Sequence, residues 1–244
     1  MKCFLILQLR PETDAADDEY ASILDKCNLT PEQTHRIRVD QEDIPTDLDV
    51  TDYAGVIVGG GPGCVSDTPD QKSALEARIE DQILNLMPQI IARDHPFMGC
   101  CYGLGILAHH LGGEVSKAQY SEPVGPTVCT LMPDGAGDPI LDGLDPEFEV
   151  FVGHKEAVQE LPPNTVHLLG SARCPIQMIR YGRNVYATQF HPEADAHDFE
   201  RRIQIYRNHG YFPPEDATRL IEACHAANVT VPREILRRFA VRYG

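Results

Sequence analysis

Apolar and polar positions along the chain fall into two regimes. In the first, short apolar runs alternate with segments of helical period. "KCFLILQL" reads as a strand and "DDEYASILDKCN" as a helix. "HRIRVD" is a short second strand, and "YAGVIVGGGPG" is an apolar strand running into a glycine-rich turn. Across residues 71–93, Leu75, Ile79, Ile83, Leu86, Ile90 and Ile91 recur close to helical spacing. Pro88 is expected to kink or split that helix, because proline removes an N–H and crowds the preceding turn. "PFMGC" is a short buried strand. Leu104, Leu107, Ala108 and Leu111 recur at i, i+3, i+4 and i+7, so a helix starts directly after the paired cysteines. Gly112 and Gly113 end it. Strands alternating with helices predict a parallel sheet covered on both faces.

From about residue 125 to 191 the period changes. "TVCTLMP", "EFEVFVGHKEAV", "VHLLGSA", "IQMIRYG" and "NVYATQFHPE" read as consecutive strands, with "YGRN" as a hairpin turn. After "HPEAD" three helices follow, in "HDFERRIQIYRNHG", "PEDATRLIEACHAA" and "PREILRRFAVRYG". The expected fold is α/β, an open and mostly parallel sheet flanked by helices. Residues 1–195 form its main domain and residues 196–244 a C-terminal helical extension. In the last helix Ile235, Leu236, Phe239 and Ala240 form an apolar stripe. It serves either its own domain or a partner surface.

Composition narrows the classes of function. The 244 residues are 42% hydrophobic, enough for a substantial core, and carry a net charge of −16. Such a surface repels phosphate backbones, so nucleic acid is not an expected partner, although the C-terminal "REILRRFAVRYG" is locally basic. No apolar run reaches the length of a membrane span, so no membrane partner is expected. The N-terminal apolar run is too short for a signal peptide, and Arg10 and Pro11 stand where a small-residue cleavage site belongs. A cytoplasmic protein is expected. None of the eight cysteines forms a C-x-x-C pair, and a disulfide framework is not expected in that compartment.

The candidate chemistry lies in "FMGCCYGLG", residues 97–105. Neighbouring strand residues point to opposite faces, which disfavours a metal site built from Cys100 and Cys101. In open α/β sheets ligands bind beyond the carboxyl ends of the strands. A cysteine on a sharp strand-to-helix turn there is exposed above the sheet, and the positive helix end lowers its pKa. Cys101 holds the apex, with Gly99 and Gly103 two residues to either side, and Cys100 points into the core. The alternative is that both are packing residues. A nucleophilic cysteine needs a base and the base an orienter. His191 and Glu193 of "TQFHPEAD" supply both, unless that segment is only a solvated turn. The turn Gly59–Gly63 lacks the ending of a P-loop and the spacing of a dinucleotide turn. It is expected to offer a backbone N–H to an oxyanion, with the N–H of Tyr102 as the second donor.

These segments, in order, resemble the class I, or triad, glutamine amidotransferases, most closely the glutaminase domain of GMP synthetase and its free-standing relatives. "VIVGGGPGCV" is similar to that family's oxyanion strand. "GCCYGLGILAHHLGGEV" is similar to its nucleophile segment, and "FVGHKEAVQELPPNTVHLLGSA" and "CPIQMIRYGRNVYATQFHPE" to its second half. The resemblance spans residues 1 to about 193 and implies a flavodoxin-like sheet. It further implies that Cys101 attacks the side-chain amide of glutamine, that His191 protonates the leaving ammonia and that Glu193 orients His191. Gly61 and Tyr102 would form the oxyanion hole. Gly60 and the turn Gly153-His154-Lys155 would bind the amino-acid end of the substrate. No metal or organic cofactor is implied. The expected partners are a small γ-glutamyl substrate and a synthetase on another chain, with room for a homo-oligomer.

The chain departs from the family at one position: Gly105 stands where a glutamine usually follows the cysteine by four residues. The ATP-pyrophosphatase domain of GMP synthetase has no counterpart here, so GMP synthesis by this chain alone is not implied. Three functions follow. The first is a glutaminase that supplies ammonia. The second, supported by Gly105, is a γ-glutamyl hydrolase acting on a γ-glutamyl amine or peptide. The third is a binding module that kept the fold.

Overall fold

The computed structural model describes residues 2–244. Its first half builds parallel strands. β1 (Phe4–Gln8) pairs with β2 (Thr34–Arg38) and β3 (Val56–Val58), and β3 pairs with β4 (Phe97–Cys100). β1, β3 and β4 are buried along their whole length, which explains their unbroken apolar sequence. Helices α1 (Thr13–Cys27), α2 (Ala74–Arg93) and α3 (Tyr102–His110) connect them.

The second half extends the same sheet. The short β5 (Val115–Ser116) pairs with β8 (Ala157–Val158) in a separate two-stranded sheet. β6 (Glu122–Leu131), β7 (Glu147–His154), β9 (Thr165–Ser171), β10 (Met178–Tyr181) and β11 (Val185–Thr188) complete nine strands in the order β2-β1-β3-β4-β11-β10-β9-β6-β7. β11 runs parallel to β4, whereas β10, β9, β6 and β7 alternate in direction. The hairpin at Tyr181–Val185 turns at Gly182, whose φ of 57° is glycine's natural region. The β4–β11 junction holds the candidate site, because the carboxyl ends of two parallel strands bring Cys101 and His191 to the same edge.

Pro88 does not split α2. The helix runs unbroken from Ala74 to Arg93 with the proline inside. Ile79, Ile83, Leu86, Met87 and Ile90 are buried on either side of it, and that packing offsets the ~3 kcal/mol an interior proline costs. α3 stops at the two glycines: Gly112 has φ 79°, and the N–H of Gly113 returns to the carbonyl of Ala108.

α4 (Ala196–Tyr206), α5 (Ala217–Ala226) and α6 (Pro232–Tyr243) pack back on this sheet. In α6, Ile235, Leu236, Phe239 and Ala240 are buried in the chain's own core, with the Phe239 ring 6.2 Å from that of Phe4. α4 and α5 share a third cluster with Phe151 of β7, which stacks on Phe199 at 4.6 Å. α4 thereby reaches the carboxyl end of the sheet beside His191, whose ring is 5.6 Å from Phe199.

Candidate active site

Cys101 sits between β4 and α3 with φ 53° and ψ −95°, a strained conformation for a residue with a side chain. Its N–H donates to the carbonyl of Thr188 at the end of β11 (2.7 Å), and its carbonyl accepts from Leu104. The elbow requires the glycine before it, since a Cβ on Gly99 would lie 2.9 Å from the backbone of Gly103. Cys100 is fully buried beneath. Cys101 lines two adjoining cavities and receives a weak contact from Gln189 Nε2, 3.8 Å from Sγ.

His191 follows β11, and its N–H donates to the Phe151 carbonyl. Its Nδ1 lies 2.9 Å from Glu193 Oε1, and both side chains are buried. Arg202 of α4 completes a group of three: its Nη1 is 2.9 Å from the same Glu193 oxygen and 3.1 Å from His191 Nδ1. Burial pushes the Glu193 carboxyl up. The charge of Arg202 and the hydrogen bond with His191 outweigh it and hold the group well below the usual carboxylate range. Glu193 is therefore an anion, suited to accept Nδ1–H and leave Nε2 as the basic nitrogen. Burial pushes the His191 imidazole down, against the pull of Glu193. It is neutral at neutral pH.

Burial opposes the thiol's ionisation. Burial pushes Cys101 up to about 12, with Arg10 opposing only in part. In the open site the thiol and imidazole are both neutral, rather than a thiolate–imidazolium pair. Alkylation of Cys101 by iodoacetamide, followed by peptide mapping, is expected to accelerate about tenfold per pH unit from pH 7 through 10. A plateau at neutral pH would show a preformed thiolate. The linked stability has the matching sign. A raised thiol pKa contributes stability below the unfolded value of ~8.5, lost as pH climbs towards 12.

The glycine turn approaches from β3. Gly59 and Gly60 commit their N–H groups to Leu7 and to Glu19, while Gly61 donates to no acceptor among the described residues. Tyr102 is the first residue of α3, so its N–H has no intrahelical acceptor. Both residues border the cavity with Cys101. A Cβ on Gly61 would touch the Tyr102 ring at 3.1 Å, and one on Gly60 would lie 2.9 Å from His191 Cε1. Close approach is the reason for glycine at both.

Gly153, His154 and Lys155 border the same cavity. The His154 ring faces inward: Nε2 is 3.1 Å from Glu122 and Nδ1 2.8 Å from the Glu156 carbonyl. Any contact with a ligand at this position comes through its backbone. Lys155 is exposed, its Nζ 4.3 Å from the centre of the Tyr211 ring.

Reasoning from sequence did not single out Glu156, Gln189, Arg10, Arg202 or Tyr211. Glu156 accounts for Gly105. Its carboxylate accepts from the N–H of Val65 and from the N–H and hydroxyl of Ser66, and a Cβ at Gly105 would lie 2.9 Å from Oε1. The space beside position 105 is thus already occupied by a carboxylate. Arg10, at the carboxyl end of β1, pairs with Glu19 at 2.8 Å and with the Tyr206 hydroxyl at 3.2 Å. Among the described residues two clusters have ligand atoms close enough for a metal. His197, Glu200 and His225 form one on the surface, and Glu122, His154 and Cys174 form one in the core, where Gln177 also donates to Glu122.

The chain belongs to the class I glutamine amidotransferases: the family profile "Glutamine amidotransferase class-I" matches residues 21–204. It is similar to a glutamine-hydrolyzing GMP synthase subunit from Thermoplasma acidophilum, at 29% identity over 174 residues, covering 70% of this chain and 78% of that one. The corresponding protein of Haloarcula marismortui is 30% identical over 173 residues, covering 70% and 80%. Against the glutamine-hydrolyzing GMP synthase of Thermomicrobium roseum the identity is 34% over 139 residues, only 23% of that longer protein. A solved glutamine amidotransferase from Thermotoga maritima superposes with a TM-score of 0.78 over 100% of this chain and 98% of that one. At 19% identity that likeness speaks for the fold alone. Among the described residues no helix is long and apolar enough to cross a membrane.

Proposed function

We propose that this protein hydrolyses the side-chain amide of glutamine through a Cys101 thioester and supplies the ammonia to a synthetase on another chain. The observation that carries the reading is the convergence of a strained cysteine, a buried His–Glu pair and two uncommitted backbone N–H groups around shared cavities. The Thermoplasma and Haloarcula relatives, each named as one part of a glutamine-hydrolyzing synthase, support a separate acceptor chain.

The reaction follows from the groups present. The Cys101 thiol passes its proton to His191 Nε2 as Sγ bonds to the amide carbon. The N–H groups of Gly61 and Tyr102 take the oxyanion, whose growing charge offsets the cost of ionising a buried thiol. His191 returns the proton to the departing nitrogen, the C–N bond breaks and ammonia leaves. Water then attacks the thioester with His191 as base, freeing glutamate and restoring the thiol. Lys155 and Glu156, of opposite charge on one cavity wall, suit the α-carboxylate and α-ammonium of the γ-glutamyl group. Glu156 thus takes up recognition at the place where Gly105 leaves no side chain.

The test is to incubate the protein with glutamine, measure glutamate release, and quench in acid for mass spectrometry. A glutamyl adduct on the peptide containing Cys101 is expected. Glutamate release with the adduct on another residue overturns the assignment.

A further inference from the structure

We propose that a second subsite beside His191 accepts a carboxylate carried by the amine half of the substrate, so that the protein takes γ-glutamyl amino acids or short γ-glutamyl peptides as well as glutamine. This inference rests on the proposed attack at a γ-glutamyl carbonyl and extends it to the leaving group.

Two cavities meet at Cys101. The first holds Gly105, Lys155, Glu156 and Gln189 but not His191. The second, of about 50 Å³, is bordered by His191, Arg10 and Arg202 together with aromatic walls from Phe199, Tyr206 and Phe212. The leaving nitrogen must receive its proton from His191, so whatever is bonded to that nitrogen extends into the second cavity. Ammonia alone does not fill this space, which has room for a few water-sized groups.

Arg202 gives this cavity its chemistry. It lies in the apolar stripe of α4 with Phe199, Ile203 and Tyr206, and is only 6% exposed. One nitrogen, Nη1, serves Glu193. The other two, Nε and Nη2, are buried with no partner among the described residues. They form the side edge of the guanidinium, whose two parallel N–H groups match a carboxylate in bidentate fashion. Buried donors of this kind are ordinarily satisfied, and an unsatisfied pair on a residue that borders a cavity points to a ligand. Arg10 is a second cation on the same wall. If Arg202 served only to hold Glu193, Nη1 would suffice and the site would be indifferent to charge on the amine.

Binding tests this without turnover. Cys101→Ala protein is titrated calorimetrically with γ-glutamylglycine and with γ-glutamylglycinamide, which differ only in carboxylate against amide. The acid is expected to bind at least tenfold more tightly, and Arg202→Gln in the same background to bring the two within about threefold. Arg202→Lys, which keeps charge but not the fork, should retain only part of the preference. Because Arg202 also supports Glu193, Ile203→Trp provides an independent check by filling the cavity. It should weaken γ-glutamylglycine at least tenfold more than glutamine. Equal affinity for the two amides, binding of neither, or a preference that survives Arg202→Gln overturns the subsite. The hydrolytic reading fails separately, by absence of a Cys101 adduct in the thiol-bearing protein.

Discussion

Cys101→Ser is expected to lower kcat for glutamine hydrolysis by about 10³-fold or more, with the fold intact. Serine retains the size and the positive φ that the elbow demands, so thermal unfolding should move little. The loss is chemical. His191 is a base weakened by burial, and the thiol it must deprotonate is itself held up to about 12. In the proposed reaction attack succeeds because sulfur is intrinsically nucleophilic and the proton moves as the oxyanion finds its donors. A hydroxyl is a still weaker acid, and the same imidazole cannot make up the difference. Cys100→Ser reports on the other half of the pair. Cys100 lies in the core under the sheet, so a hydroxyl there is expected to cost about 1–3 kcal/mol of stability. Turnover per folded molecule should stay within a few-fold of wild type. Reversal of the two results would exchange the roles of the two cysteines. Steady-state glutamate release and thermal denaturation on both variants decide it.

What could be read from the sequence was what depends on neighbours along the chain. The apolar β3 and β4, the glycine turn, the elbow and the close of α3 at Gly112 are local patterns with local causes. His191 and Glu193 are two residues apart, and their contact needed only the end of a strand. What could not be read depends on long-range packing. Glu156 reaches the backbone of Val65 and Ser66, some ninety residues earlier, and that contact holds its carboxylate in the space beside position 105. Arg202 did leave a trace. A charged residue at i+3 between Phe199 and Tyr206, in a helix otherwise apolar on that face, marks a cation held in the interior. Arg10 left another, as a cation directly beyond the carboxyl end of β1. Helix propensity misleads at Pro88 because it leaves out the buried stripe that keeps α2 in one piece through the proline. At the thiol the local pattern likewise leaves out burial, which pushes the group up.

Glu193→Ala is expected to damage stability and catalysis together, and a second substitution separates them. Removing the carboxylate leaves the Arg202 guanidinium buried without its anion, a change that costs about 3–5 kcal/mol. For a chain of this length that is a fall in Tm on the order of 10 °C. It also frees the His191 ring to turn and adopt the wrong tautomer, with an expected loss of about 10²–10⁴-fold in kcat. In Glu193→Ala/Arg202→Leu the orphaned charge is gone, so most of the stability should return while turnover stays lost. Recovery of both would reduce Glu193 to a structural counter-ion; recovery of neither would place the damage outside this group of three. The same charges set the acid side of the stability curve. The imidazole and carboxylate are both lowered on folding, so the unfolded chain binds protons more readily than the native one. Their contribution is complete above the unfolded imidazole value of ~6.5 and declines as pH falls, first through His191 and then, below ~4.3, through Glu193. The double variant lacks the carboxylate and one cation, and its Tm should fall less steeply between pH 5 and pH 3 than that of the wild type.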